Sequence, residues 1–214
     1  AAERATLFST RFPHVKGRWA AKHELFHPEP WQCFWYCSLF GWVNVKTGFR
    51  RFRKGRMYVP RKNGKSLAAA PIGLYMLTAD NEPGAEVFSG ATNEKQAWEV
   101  FGPAKQMATM RPDFLARFGI QINAKALVRT GTMAKFEPVI GKPGDGSSPH
   151  CSITDEYHEH ITDEQLATME TGMGARDQPL SIVVSTAGDN IAGPCRADWL
   201  ECQKVLQGTQ DDET

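Results

Sequence analysis

The sequence predicts one α/β domain with a largely parallel central sheet flanked by helices, on three observations. Between residues 57 and 185, short apolar runs alternate with longer stretches of helical periodicity, the pattern of strands joined by crossover helices. The run 180–185 places Ile182, Val183 and Val184 in succession, as a strand buried on both faces requires. The 214 residues supply one large core and fall short of two comfortable ones.

Taken in order, residues 30–42 read as a mostly buried helix ending near Gly41, with Trp31, Phe34, Trp35, Leu39 and Phe40 as its apolar set. Residues 57–60 read as a short strand, followed by a glycine-containing turn and an Ala-rich helix over 65–78. Pro71 falls inside that helix, where a proline costs about 3 kcal/mol unless the helix kinks. A strand over 86–90 precedes a helix over 93–110 whose apolar positions include Ala97, Val100, Phe101, Ala104 and Met107. Residues 118–122 and 126–129 suit short strands, and 141–148 a Gly/Ser/Pro loop. A strand over 151–154 runs into Asp155 and Glu156, a helix fits 163–171, and the run 180–185 closes the set.

Composition is globular: 41% hydrophobic, 23% charged, with 19 Gly and 13 Pro. No apolar run approaches the roughly 20 residues of a bilayer-spanning helix. The first 16 residues carry Glu3, Arg4, Arg11 and His14 instead of the apolar core of an export signal, so a cytoplasmic setting is expected. Net charge is +1, and any nucleic-acid contact therefore rests on local patches. One such patch holds Lys46, Arg50, Arg51, Arg53, Lys54, Arg56, Arg61, Lys62 and Lys65, with no Asp or Glu among them. The part at 50–56 is expected to be a solvated hairpin or the lining of a DNA channel, the hairpin being preferred. Cys33, Cys37, Cys151, Cys195 and Cys202 form an odd set without paired CxxC spacing, which indicates neither a disulfide framework nor a zinc knuckle. Cys33 and Cys37 lie one helical turn apart and read as one packed face.

The segment Val59-Pro60-Arg61-Lys62-Asn63-Gly64-Lys65-Ser66 lies between an expected strand and an expected helix and resembles a phosphate-binding loop. In such loops backbone N–H groups cradle phosphates, the lysine reaches the β and γ oxygens, and the hydroxyl holds magnesium. Val59 stands where the usual first glycine would be. Asp155 and Glu156, ending a strand, supply what a nucleotide hydrolase needs opposite its loop: one carboxylate for the magnesium and its waters, one to polarise the attacking water. Ser185 and Thr186 end the last strand at the carboxyl edge of a parallel sheet, where ligands bind and hydroxyls can sense a γ-phosphate.

Together with Pro30-Trp31-Gln32, Phe40-Gly41-Trp42 and Thr47-Gly48-Phe49-Arg50, the segments 60–66, 154–159 and 185–188 resemble the ATPase domain of tailed-phage large terminase subunits over about residues 15–194. The resemblance implies a P-loop NTPase fold and ATP hydrolysis that drives double-stranded DNA into a capsid. It implies that Arg61, Lys62, Asn63, Gly64, Lys65 and Ser66 hold ATP and Mg2+, with Asp155 supporting the metal and Glu156 as base. By the same likeness Gln32 recognises adenine, whose edge an amide can both donate to and accept from. Arg61 senses or stabilises the γ-phosphate, and Ser185 and Thr186 form the coupling motif. Thr154 stands where a bulkier apolar residue is usual. Arg176, in the loop before the last strand, is the expected arginine reaching a neighbouring subunit. The implied partners are DNA, a portal protein, a small terminase subunit and further copies in a ring, in the cytoplasm of an infected bacterium. Residues 1–208 would be the motor domain and 209–214 a linker start or tail, with the nuclease domain of the family outside this chain.

Two other readings share these residues: a helicase-like nucleic-acid ATPase, and a DNA-binding module whose nucleotide site is only structural. A helicase would need a second motor domain, for which 214 residues leave no room. His158 and His160 flank Glu159 without a third metal-type ligand and are expected at the surface. The aromatic run around Trp35 is expected in the core.

Overall fold

The computed structural model describes residues 2–141, 144 and 146–210. Lys142, Pro143 and Asp145 of the glycine-rich loop, and the acidic tail Asp211, Asp212 and Glu213, lie outside the described residues. The elements run α1 (Ala2–Ser9), α2 (Gly17–Ala21), α3 (Pro30–Gly41), β1 (Lys54–Tyr58), α4 (Lys65–Thr78), β2 (Glu86–Ala91), α5 (Glu94–Thr109), α6 (Pro112–Phe118), β3 (Ile120–Ile122), β4 (Leu127–Arg129), β5 (Ala134–Ile140), β6 (Pro149–Asp155), α7 (Glu164–Gly172), β7 (Leu180–Ser185) and α8 (Pro194–Leu206). Among the described residues no helix is long and apolar enough to cross a membrane.

The seven strands form one sheet in the order β1-β7-β6-β2-β5-β4-β3. Its first five strands are parallel, and β4 and β3 are added antiparallel. In register, Tyr58 pairs with Ser185 and Asp155 with Val184, so β1, β7 and β6 end level at one edge. The two faces bury different partners. Ile182 and Val184 join Cys151, Ile153 and Val87 in the main core with α4 and α5, whereas Val183 between them packs with Tyr157, Leu166 and Cys195. Gly73 of α4 lets the Phe136 ring come within 2.5 Å of where a Cβ would stand.

Helix ends follow the local sequence. In α3, Pro30 opens the helix while Glu29 and Gln32 form a reciprocal capping box, which satisfies two otherwise unpaired N–H donors. The Asn93 side chain accepts from the Gln96 N–H at the start of α5. The helix α4 runs unbroken through Pro71. Tyr36 donates its hydroxyl to the Ala68 carbonyl at 2.5 Å, within the turn that the proline disturbs.

Several expectations are corrected. The helix α3 is not mostly buried: Gln32, Tyr36, Leu39 and Phe40 face inward while Phe34 is 75% exposed, a one-sided stripe. Cys37 is exposed as well, so Cys33 and Cys37 do not share a packed face. The basic stretch 50–56 is not uniformly solvated. Arg50 is buried in a two-pronged ion pair with Asp80 at 3.0 Å, and Arg56 reaches Asp198 at 3.1 Å and Glu170 at 2.8 Å.

Candidate active site

The turn between β1 and α4 is shaped by two left-handed residues, Lys62 at φ 68° and Gly64 at φ 71°. Asn63 closes it by donating from its side chain to the Pro60 carbonyl at 3.1 Å. Gly64 caps α4 without a side-chain hydrogen bond, so the first N–H groups of the helix carry their partial positive charge toward the turn. Arg61, Lys62 and Asn63 are exposed, and Lys65 is buried.

The turn meets the end of β6 through two contacts. Lys65 Nζ lies 2.8 Å from Glu156 Oε1, and Ser66 Oγ donates to Asp155 Oδ2 at 2.6 Å. Asp155 is 1% exposed. Burial pushes its carboxyl up to about 6, against the Ser66 hydroxyl and the Lys65 charge, while the neighbouring Glu156 adds to the rise.

Glu156 sits at φ 50°, ψ 47°, a left-handed conformation that costs a residue with a Cβ roughly 1–2 kcal/mol. Its N–H donates to the Val184 carbonyl at 3.0 Å, and its carbonyl accepts from Glu159 N at 2.8 Å, starting a 3₁₀ turn at Tyr157–Glu159. Tyr157 is buried beneath that turn. These bonds aim the Glu156 side chain over the ends of β6 and β7.

Ser185, the last residue of β7, is fully buried; its Oγ donates to the Thr186 carbonyl at 2.9 Å and accepts from His158 N at 3.1 Å. The structure thus gathers Lys65, Ser66, Asp155, Glu156, Ser185 and Thr186 at one sheet edge. Gln32 borders the same turn, its Nε2 lying 3.8 Å from where a Gly64 Cβ would stand. Its Oε1 is occupied by the Glu29 N–H at 2.9 Å, which leaves the amide donor for a ligand. Thr154 is buried within β6.

Arg176 is placed elsewhere. Its guanidinium bonds the carbonyls of Ser148 and Gly84 and the Glu82 carboxylate at 2.8–3.1 Å, where β6 and β2 begin, at the sheet edge opposite Lys65. A side chain held this way ties two strand-leading loops together within its own chain.

His158 and His160 are also not at the surface. The His158 side chain is 7% exposed, and His160 is buried against Tyr157. The sequence offered for His158 only its position two residues beyond Glu156; that it meets Ser185 and Thr186 follows from the pairing of β6 with β7.

A parallel sheet with a lysine- and serine-bearing turn facing a strand-end carboxylate pair defines a P-loop NTPase-like domain. The family model "Terminase large subunit, ATPase domain" matches residues 30–203, and the chain belongs to that family. The large terminase subunit of Enterobacteria phage HK97 is 29% identical over 139 residues, covering 63% of this chain and 28% of that protein. Protein YmfN of Escherichia coli (strain K12) is 56% identical over 68 residues, 32% of this chain and 15% of YmfN. The crystal structure of the HK97 large terminase superposes with a TM-score of 0.79 at 24% identity, covering 98% of this chain and 42% of that one. The ATPase domain of the Thermus phage P74-26 large terminase gives 0.53 at 19% identity, over 72% and 70% of the two chains. These structural likenesses show a shared fold. The chain spans less than half the length of either curated relative and of the HK97 structure.

Proposed function

We propose that this chain hydrolyses ATP and uses the energy to move double-stranded viral DNA into a capsid. The reading rests above all on the paired contacts Lys65–Glu156 and Ser66–Asp155, which join the loop to the carboxylates at one sheet edge.

In the proposed reaction a water oxygen attacks the γ-phosphorus in line, the bond to the bridging oxygen of ADP breaks, and Glu156 accepts the proton of the water. Lys65 and the N–H groups of the turn neutralise the β and γ oxygens. The hydroxyl of Ser66 and the carboxylate of Asp155 share one spot and are both hard oxygen donors, a set that suits Mg2+ held by few protein ligands and by phosphates. Bound there, Mg2+ supplies charge neutralisation. Arg61 stands exposed in the turn, free to swing onto the γ-phosphate, and Gln32 offers its amide N–H to the adenine. Ser185 and Thr186 carry the outcome toward movement. DNA contacts of a packaging motor are to phosphates and tolerant of sequence. A portal protein, a small terminase subunit and a ring of copies complete the proposed machine, in the host cytoplasm.

Steady-state turnover of ATP with Mg2+ by the purified chain tests this, alongside Lys65→Ala and Glu156→Gln. Turnover that rises with protein concentration and is lost in both variants is expected; turnover indifferent to both would overturn it. Supercoiled plasmid incubated with Mg2+ or Mn2+ should stay intact, because the nuclease is assigned to a separate domain.

A further inference from the structure

His158 contacts both the expected base and the hydroxyl pair at the end of β7. Its Nδ1 lies 3.3 Å from Glu156 Oε2, 3.1 Å from Ser185 Oγ and 3.3 Å from Thr186 Oγ1. Its Nε2 lies 3.3 Å from Glu159 Oε1 and 3.5 Å from Thr186 Oγ1. The backbone N–H of the same residue donates to Ser185 Oγ. Gly188 presses on it from the far side: at φ +67°, a Cβ there would stand 2.6 Å from the Cβ of His158. The backbone at Gly188 therefore lies close against His158, at a position where a side chain would not fit.

The Glu156 carboxylate is held unevenly. Oε1 takes Lys65 at 2.8 Å, whereas Oε2 is buried without a hydrogen-bond partner. A buried acceptor left unpaired carries an unrelieved desolvation penalty, and the nearest ring nitrogen able to relieve it is His158 Nδ1. Lys65 cannot hold this carboxylate and a triphosphate equally well, because its ammonium is one compact charge.

We propose that His158 is a positioning residue that takes hold of Glu156 Oε2 when Lys65 turns to the triphosphate, and loosens its ring contacts to the Ser185 and Thr186 hydroxyls as it does so, while its backbone N–H stays on Ser185 Oγ. The proposal rests on the ATPase reading above. The imidazole has one Nδ1 and three oxygens around it, so its hydrogen bond to the base competes with its hydrogen bonds to β7. Orientation of the carboxylate and the ring's hold on the hydroxyl pair are thereby linked through one side chain, which touches no substrate atom itself.

Four variants of the full chain test this by ATP turnover, affinity for Mg-ATP and thermal melting: His158→Ala, His158→Asn, Thr186→Val and the His158→Ala/Thr186→Val double. A base displaced by about 1 Å loses on the order of a hundredfold in rate. His158→Ala should thus lower kcat by roughly ten- to a hundredfold with Mg-ATP affinity within about twofold of wild type. His158→Asn, whose amide takes the place of Nδ1, should recover much of kcat. Thr186→Val should cost less in the His158→Ala background than alone, since the shared contact is already gone. Unchanged kcat in His158→Ala, a parallel loss of affinity, or additive effects in the double variant would overturn the proposal. Should His158→Ala fail to fold, His158→Asn is compared with His158→Gln, whose amide sits at the place of Nε2; equal rates for the two would overturn it. A wild-type chain that neither binds nor turns over Mg-ATP removes the ATPase reading and this proposal together. Normal wild-type turnover with an indifferent His158 removes this proposal alone.

Discussion

Lys65 Nζ and Glu156 Oε1 stand 2.8 Å apart, joining the first residue of α4 to the residue that follows β6. One ammonium thus serves a carboxylate at the place where the proposed reaction needs it on phosphate oxygens, and ATP binding competes with this pair. Glu156→Gln should accordingly bind ATP at least as tightly as wild type while losing turnover. A gain of up to about fivefold corresponds to roughly 1 kcal/mol, the upper end for a partly exposed pair. Nucleotide titration decides: clearly weaker binding would mean that Lys65 and the triphosphate do not compete.

Gln32 carries two duties whose effects separate. Its Oε1 caps α3 through Glu29 N, and its amide borders Gly64. Gln32→Ala should lower stability by about 1 kcal/mol through the lost cap and reduce the preference for ATP over GTP in competition binding. Gln32→Glu keeps the capping oxygen and removes the donor, so it should retain stability and lose the preference. A preference for ATP over GTP kept at the wild-type level in both variants would release Gln32 from base recognition.

Arg176 bridges the loops leading into β2 and β6. Arg176→Ala leaves the carbonyls of Ser148 and Gly84 and the Glu82 carboxylate without their donor, and should melt several degrees lower, about 2–4 °C for each kcal/mol in a chain of this size. A chain that melts normally yet loses turnover in mixing experiments with wild type would restore the arginine to a neighbour's site.

Asp80 receives Arg50 at 3.0 Å on both oxygens and His150 Nε2 at 2.7 Å. Burial alone would raise its carboxyl, but the hydrogen bonds from His150 and Arg50 outweigh burial and hold it at about 2. Because the folded value lies below the ordinary 3.8, the resulting stability is complete above about pH 4 and is lost as pH falls toward 2, on the order of 2 kcal/mol. Asp80→Asn strands the buried Arg50 charge and should cost roughly 3–5 kcal/mol at neutral pH, with a flatter acid limb between pH 4 and 2. Denaturant melts across that range measure both; an unchanged acid limb would assign the sensitivity to another carboxylate.

Where patterns are local, the sequence spoke clearly. The bounds of α4 and β7 are those expected from the run 65–78 and from Ile182-Val183-Val184, since apolar continuity and the turn residues beside them are all that such elements need. The strand β5 escaped because Lys135, Glu137 and Pro138 interrupt its apolar positions, and its place is granted by pairing with β2, a long-range fact. The helix α6 carried readable signals, Pro112 at its start and Gly119 in the left-handed cap, but at seven residues it is too short for periodicity to show. Arg50, Arg56, Arg176 and His158 all read as surface groups because their partners, Asp80, Asp198, Ser148 and Ser185, are brought near only by the sheet. The loop and the carboxylate pair were legible as types of residue; that they touch follows from strand order, which periodicity does not encode.

That order has a mechanical meaning. The strand β7 lies between β1, which leads into the phosphate loop, and β6, which leads into Glu156. Neighbouring strands in a ladder are pinned about 4.8 Å apart, so the roots of the loop and of the carboxylates cannot drift toward or away from each other without tearing backbone bonds on both sides of Ser185. The sheet is an anvil, and the hydroxyl-bearing strand is its centre. Any stroke this domain delivers therefore begins in rotating side chains and in the short turn beyond β6, and is passed outward through α8, which packs on that turn, while the strands stay still.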